Sequence, residues 1–144
     1  METTEQKIEF LLQSFSKLSS WEERYKKIIQ MGKELTPLEE EFKTEALLVK
    51  GCQSQVWLKA ELQDDRTVLL KGESDSVIVQ GLLALLLFVY SGQQTEEILS
   101  TSPIFLEDLG LKKHLTPNRA NGVYAMVKQI TYYAQAFQLL AKRV

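Results

Sequence analysis

Residues that bind soft metals are almost absent from this sequence. Its 144 residues include one cysteine, Cys52, and one histidine, His114. A single cysteine excludes a disulfide within the chain. It also excludes a metal site built by this chain alone from thiolates, because structural zinc and iron–sulfur sites usually take about four Cys or His ligands. We therefore expect no metal site, and any chemical role of Cys52 would be that of one thiol that reacts with a partner.

The sequence also lacks a strong charge of one sign and a long hydrophobic run. Its net charge is −2, from 17 basic and 19 acidic residues, which argues against a general nucleic-acid binder. The most apolar segment, residues 77–90, is shorter than the roughly 20 residues that a membrane span needs. The polar, acidic start at residues 1–5 is unlike a signal or transit peptide. With no disulfide possible, these features predict a cytoplasmic protein.

The hydrophobic pattern predicts an α+β fold in a single domain that spans residues 1–144, with a small antiparallel sheet packed against helices. Strands are expected at residues 46–49, 56–62 and 67–70. Helices are expected at residues 4–17, 21–36, 77–90, 95–99, 103–109 and 117–140. Two of these helices have clear start signals, because Ser20 and Glu23 form a capping-box pattern and Thr116 precedes Pro117.

Two features near the start of helix 77–90 lead to further predictions. Ser74 or Asp75 is a suitable N-cap for this helix. Gly81 lies inside the helix, where glycine lowers stability by about 1 kcal/mol relative to alanine. We therefore expect Gly81 to mark close packing of the helix against the sheet.

Cys52 is expected at the bend between the first two predicted strands. Gly51 precedes it, and the short polar residues Gln53 and Ser54 follow it, which is the composition of a turn. A thiol at the tip of a turn can be presented to a partner. On sequence physics alone, however, a lone cysteine in a protein of this kind is more often an inert small apolar residue.

Several stretches of the chain resemble the SufE-type cysteine desulfuration proteins, in the same order and over roughly residues 20–135. They are Trp21-Glu22-Glu23-Arg24-Tyr25, Gly51-Cys52-Gln53-Ser54-Gln55-Val56-Trp57, Gly72-Glu73-Ser74-Asp75-Ser76 with Val79-Gln80-Gly81-Leu82, and His114-Leu115-Thr116-Pro117-Asn118-Arg119. The resemblance implies an α+β fold similar to that of the IscU-type iron–sulfur scaffold proteins.

The resemblance also implies a function in iron–sulfur cluster assembly. Cys52 would accept sulfane sulfur, as a persulfide, from a SufS-type cysteine desulfurase and stimulate that enzyme. It would then pass the sulfur to a SufBCD-type scaffold complex. Pyridoxal phosphate would belong to the desulfurase, so no cofactor is expected in this chain. Whether the chain is an enzyme in its own right, and whether it forms a homodimer, stay open at this point.

The matched stretches suggest supporting residues for Cys52. Arg119 would stabilise its thiolate, His114 would take its proton, and Asp75 would orient Arg119. Gly51 would help to form the turn, and the side chains of Gln53 and Ser54 would shape the bend and hydrogen-bond the persulfide. Each also has a structural interpretation, in which Asp75 is a helix cap and His114 only packs.

A persulfide must be hidden from stray thiols between partners and exposed during transfer. We therefore expect Cys52 to have low solvent access in the free protein, in an apolar pocket formed with help from Val49, Val56 and Trp57. A swinging bend would satisfy both demands.

Other functions remain open on the sequence. The chain could accept sulfur from a related, Csd-type desulfurase. It could instead be a thiol oxidoreductase with one cysteine, which would need a second thiol from elsewhere. A cluster scaffold is disfavoured, because a cluster would need ligands from a second chain.

Overall fold

A computed structural model of the chain describes residues 2–141. Its helices are α1 (Thr4–Ser16), α2 (Trp21–Lys33), α3 (Val77–Tyr90), α4 (Thr95–Ser100), α5 (Phe105–Asp108), α6 (Leu111–His114) and α7 (Pro117–Ala141). Its strands are β1 (Val56–Leu62), β2 (Thr67–Ser74) and β3 (Gln93–Gln94), and short 3-10 helices span Glu40–Phe42 and Glu45–Leu47. The predicted α+β fold is confirmed.

The three strands form an antiparallel sheet in the order β1-β2-β3. Val56 pairs with Ser74 at one end of the β1–β2 ladder and Leu62 pairs with Val68 at the other. β3 adds only two pairs to β2. The bend that carries Cys52 directly precedes β1, so the sheet fixes where that bend begins.

Helix α3 forms the centre of the core, as its unbroken apolar sequence predicts. Side chains around most of its circumference are buried, which is the pattern of a helix with neighbours on several sides. The buried residues of α3 are Ile78, Gly81, Leu82, Leu83, Ala84, Leu85, Leu86, Leu87, Val89 and Tyr90. α2, β2 and α7 all pack against it.

Gly81 marks a close contact, as predicted, but the partner is α2 and not the sheet. A methyl group at Gly81 would lie 2.3 Å from the Ile28 carbonyl oxygen, and one at Gly32 would lie 2.7 Å from the Gly81 nitrogen. The two helix backbones therefore touch at a pair of glycines. Nothing in the sequence indicates that two glycines 49 positions apart are in contact. The sheet was therefore expected as the partner of Gly81 in place of α2.

The predicted strand at residues 46–49 was wrong. Residues Glu45–Leu47 form a 3-10 helix. Pairing with β1 is limited to an isolated bridge between Leu48 and Trp57, with the Val49 N–H donating to the Val56 carbonyl. The next carbonyl on that edge of β1 belongs to Leu58, and it accepts a hydrogen bond from the Tyr133 hydroxyl at 2.7 Å. Since a side chain of α7 occupies the edge there, the pairing cannot continue.

The predicted N-cap of α3 was wrong by one or two residues. Ser76 is the cap, and its side chain accepts from the Val79 N–H. Both predicted candidates have other partners: Ser74 Oγ accepts from the Ser76 N–H, and Asp75 accepts from the Gln55 N–H.

The start signals of the other two helices are largely confirmed. Ser20 Oγ accepts from the Glu23 N–H at the start of α2. The return half of the capping box is absent, because the Glu23 carboxylate accepts from the Ser19 hydroxyl. At the start of α7, Thr116 Oγ1 accepts from the Arg119 N–H. No helix in the described part of the chain is both long enough and apolar enough to cross a membrane.

Candidate functional site

The bend that carries Cys52 is tied to the sheet at both of its ends. The Val49 N–H donates to the Val56 carbonyl at 2.8 Å. The Gln55 N–H donates to the Asp75 carboxylate at 3.0 Å, and the Asp75 N–H donates back to the Gln55 carbonyl at 3.2 Å. The two ends of the bend are therefore fixed by backbone and carboxylate hydrogen bonds.

Gly51 gives the bend its shape just before the cysteine. Its φ angle is +93°, in the left-handed region that favours glycine. A methyl group at this position would also lie 3.4 Å from the Ala125 side chain on α7. The turn at Gly51 thus brings the tip of the bend against α7.

Cys52 itself lies against the backbone of α7. Its thiol donates a hydrogen bond to the Gly122 carbonyl, with 3.3 Å between the sulfur and the oxygen. The side chain is partly buried, and burial raises the pKa of the Cys52 thiol above its ordinary value. Both effects favour the neutral thiol over the thiolate in the free protein.

A cavity of about 200 Å³ lies beside Cys52, between the bend, α3 and the first turns of α7. Part of its wall is apolar, formed by Val79, Leu82, Val123 and Met126. The rest is formed by Cys52, Gln53, Ser54, Thr116, Asn118, Arg119 and Gly122. Three predicted supporting residues, Gln53, Ser54 and Arg119, are therefore brought together around one space with the thiol.

The cavity is not formed by the side chains that were expected to line it. Val49 and Val56 are buried in the hydrophobic core. Trp57, their neighbour on β1, packs beneath the Lys43 ammonium, 5.8 Å from the centre of its ring. The expectation failed because Val49 and Val56 point into the core and Trp57 points to the other face of β1. The apolar wall comes instead from α3 and α7.

Arg119 provides the positive charge of the site. It lies in the first turn of α7, where its N–H is held by Thr116, and its side chain lines the cavity. Within residues 2–141, no carboxylate lies within ion-pair distance of its guanidinium. An anionic sulfur in the cavity would therefore meet an uncompensated cation.

The family of the chain can be stated with this geometry in view. A family model for SufE, described as an Fe-S metabolism associated domain, matches residues 9–134. The chain belongs to the SufE family. It is also similar to the solution structure of a hypothetical protein from Thermus thermophilus, with a TM-score of 0.78, 21% identity, and coverage of 92% of this chain and 96% of the other. That likeness supports the fold, and the family connects the chain with iron–sulfur metabolism.

The fold of this SufE-family chain places two of the predicted supporting residues away from the cavity. Asp75 accepts from the Gln55 amide and so anchors the bend, and within the described part of the chain it forms no ion pair with Arg119. The His114 ring stacks on Trp21, with 4.4 Å between ring centres and 11° between planes. Neither residue lines the cavity that Cys52 faces.

The sequence analysis did not predict the contact between Gly122 and the thiol. A glycine inside a helix that is otherwise rich in helix formers was a usable signal. No signal in the sequence could have paired it with Cys52, 70 positions away. Among the described residues of the SufE chain, no three His, Cys, Asp or Glu side chains are grouped in a way that could hold a metal ion.

Proposed function

We propose that this SufE-family chain carries sulfur for iron–sulfur cluster assembly. Cys52 accepts sulfane sulfur, as a persulfide, from a SufS-type cysteine desulfurase and thereby stimulates that enzyme. It then delivers the sulfur to a SufBCD-type scaffold complex. The observation that carries the proposal is the position of the only cysteine: it lies at the tip of an anchored bend, over a cavity that Arg119 lines.

The transfer is an exchange reaction at sulfur. The Cys52 thiolate attacks the outer sulfur of the donor persulfide. The donor sulfur–sulfur bond breaks, a new one forms to Cys52, and the donor leaves as a thiolate that takes up the proton lost by Cys52. No external oxidant or reductant is required. The same exchange, with Cys52 as donor, passes the sulfur to a thiol of the scaffold complex.

The resting state of the site suits a carrier that waits for its partner. Burial and the bond to Gly122 keep Cys52 in its less reactive, neutral form. Docking of the desulfurase would move the tip of the bend and expose the thiol, while Arg119 would stabilise the anionic sulfur as it forms. This gives low reactivity between partners and high reactivity in the complex.

The raised pKa of the Cys52 thiol disfavours the alternative function, a thiol oxidoreductase with one cysteine. Fast reaction with peroxide requires a thiolate, and therefore a lowered thiol pKa. The pKa of Cys52 is raised by burial, and the one histidine of the sequence, His114, does not line the cavity. Slow peroxide reaction of the free protein is expected on the carrier function.

The proposed function is tested by the rate of alanine formation from cysteine with the desulfurase partner. Wild-type chain is expected to increase this rate, and Cys52→Ser is expected to bind without increasing it. SufS-type and Csd-type desulfurases are compared in parallel, and the stronger response identifies the donor. Equal stimulation by wild type and Cys52→Ser would contradict transfer through Cys52.

A further inference from the structure

Gly122 forms the part of α7 against which the thiol rests. A methyl group at this position would lie 3.4 Å from the Cys52 sulfur and 4.0 Å from its Cβ atom. Gly122 is buried and also accepts the thiol hydrogen bond. Glycine within a helix lowers helix stability relative to alanine. A buried glycine at the sixth position of α7 therefore indicates that a side chain there would be unfavourable.

The hydrogen bond to Gly122 cannot survive conversion of the thiol to a persulfide. The outer sulfur replaces the thiol hydrogen at a bond length of about 2.05 Å. Along the present line from sulfur to oxygen, which is 3.3 Å long, it would come within roughly 1.3 Å of the oxygen. The Cys52 side chain must therefore turn away from this line when it is loaded.

The cavity beside Cys52 can receive the outer sulfur after that turn. Its volume of about 200 Å³ is several times the roughly 30 Å³ that one water molecule takes up in the liquid. The space is continuous with Gly122, whose missing side chain leaves the helix backbone bare next to the Cys52 sulfur.

We propose that Gly122 is a specificity-determining residue that distinguishes the persulfide from the thiol, an inference that rests on the sulfur-carrier function. Its carbonyl holds the thiol, and the gap left by its missing side chain admits the outer sulfur. A methyl group at 3.4 Å is in ordinary contact with the thiol sulfur, so the thiol form tolerates alanine. The added sulfur must compete with that methyl group for the same space.

The test compares Gly122→Ala with Asn121→Ala. Asn121 is exposed and outside the cavity, so its variant raises helix propensity one residue away without adding an atom near Cys52. Each protein is loaded with desulfurase and cysteine, and the persulfide fraction and its loss to a small thiol are followed by intact mass. Alkylation of the unloaded thiol by iodoacetamide and thermal unfolding are measured on the same samples.

Gly122→Ala is expected to alkylate like wild type while its loaded fraction falls about tenfold, the scale of overpacking in a closed site. Asn121→Ala is expected to match wild type in both assays. Adding Val79→Ala to Gly122→Ala, which reopens the cavity from its α3 side, is expected to recover loading. Equal loading and persulfide lifetime in Gly122→Ala and wild type would overturn the proposal. Equal losses of alkylation and loading would also overturn it, because the position would then act on the bend as a whole.

A measurement on wild type keeps the proposal testable if Gly122→Ala does not fold. Loading with sulfur is expected to shift the methyl resonances of Val79 and Met126, which line the cavity. Unchanged resonances on a loaded protein would place the outer sulfur elsewhere and contradict the inference. Wild type that takes up no sulfur from a loaded desulfurase would instead contradict the sulfur-carrier function itself.

Discussion

At the scale of single residues, the contacts of Cys52 favour its neutral thiol over the thiolate. Cys52 is partly buried and donates to a backbone carbonyl, and Arg119 is the cation among the described residues that line the same cavity. The contacts of the free protein therefore suppress reaction, and the cation can act only once the sulfur becomes anionic. On the proposed function, the reactivity of Cys52 depends on the partner.

The first residue-scale prediction concerns the pH dependence of Cys52 alkylation. Because burial raises the pKa of this thiol, the midpoint of the rate profile should lie above that of an ordinary cysteine. Urea-unfolded chain should return to the ordinary midpoint of about 8.5. A folded midpoint below the unfolded one would contradict the description of the site.

The raised pKa also fixes the sign of its effect on stability. A group whose folded pKa exceeds its unfolded pKa contributes stability that is fully present below the unfolded pKa. That contribution is lost as pH rises through the folded pKa. The alkaline loss of stability in wild type should therefore be smaller in Cys52→Ser, which lacks the titrating thiol, as followed by urea unfolding between neutral and alkaline pH.

The second residue-scale prediction concerns the charge of Arg119. Arg119→Gln should slow sulfur acceptance by Cys52 by about 10- to 100-fold, because a hydrogen bond to a charged group contributes about 1.5–3 kcal/mol. Arg119→Lys, which keeps the charge, should retain more of the rate. The readout is single-turnover transfer from loaded desulfurase, and a rate for Arg119→Gln equal to wild type would remove Arg119 from the mechanism.

At the scale of secondary-structure elements, the first prediction concerns the crossing of α2 and α3, where the two helix backbones are in close contact. Gly81→Ala would place a methyl group 2.3 Å from a backbone oxygen, which cannot move independently of α2. We expect a loss of about 3 kcal/mol in the free energy of unfolding, the upper end for overpacking. Gly122→Ala is the matched control in a helix: its methyl group meets only a side chain at contact distance, so its unfolding midpoint should not fall.

A second prediction at this scale concerns the segment before the Cys52 bend. The Glu73 carboxylate accepts from the Leu38 N–H at 3.0 Å and pairs with the Lys43 ammonium at 2.6 Å. Glu73→Gln should speed hydrogen exchange at residues 38–43 and leave α3 unchanged. Glu41→Gln is the control, because Glu41 is exposed and forms no ion pair with another described residue. Equal exchange in the two variants would show that the Glu73 pair does not hold the segment.

The pH dependence of that pair has the opposite sign to that of Cys52. The hydrogen bond from Lys43 lowers the pKa of Glu73 below its ordinary value. The stability it contributes is present above the unfolded pKa of about 4.3 and is lost as pH falls through the folded value. Partial exposure to solvent screens the pair and keeps this contribution small. Acid should therefore release residues 38–43 in wild type and change Glu73→Gln less.

The elements that could be predicted from sequence are those whose signals are local. α3 was predicted from one apolar run, and α7 from Thr116-Pro117 and the helix formers that follow. β3 was missed because two residues carry no periodicity, and α6 because four residues do not complete a pattern. Residues 46–49 have a strand-like sequence, but the side chain of Tyr133 occupies the edge they would need.

The candidate site was predictable only in part for the same reason. The sequence motifs named Cys52 and Arg119, and the fold brings both to one cavity. The apolar wall could not be predicted, since Leu82 and Met126 reach it from two helices that are distant in sequence. Asp75 shows this limit most clearly. Its side chain suits a helix cap, but its hydrogen-bond partner is Gln55, which lies opposite it at the end of the β1–β2 ladder.

At the scale of the whole molecule, the buried helix α3 belongs both to the hydrophobic core and to the cavity beside Cys52. α3 packs against α2, β2 and α7, and its first turns also form one wall of the cavity. The bend and the start of α7 close the other sides. The site is therefore assembled from three separate parts of the chain, and it exists only in the folded chain.

The most direct test of Cys52 as the sulfur acceptor is the mass of the intact chain after incubation with its desulfurase and free cysteine. We predict the added mass of one sulfur atom on wild type, removed by reductant and absent from Cys52→Ser. If the desulfurase is shown to be loaded and the chain gains no sulfur, or if Cys52→Ser gains it equally, then Cys52 is not the acceptor and the proposed function is wrong.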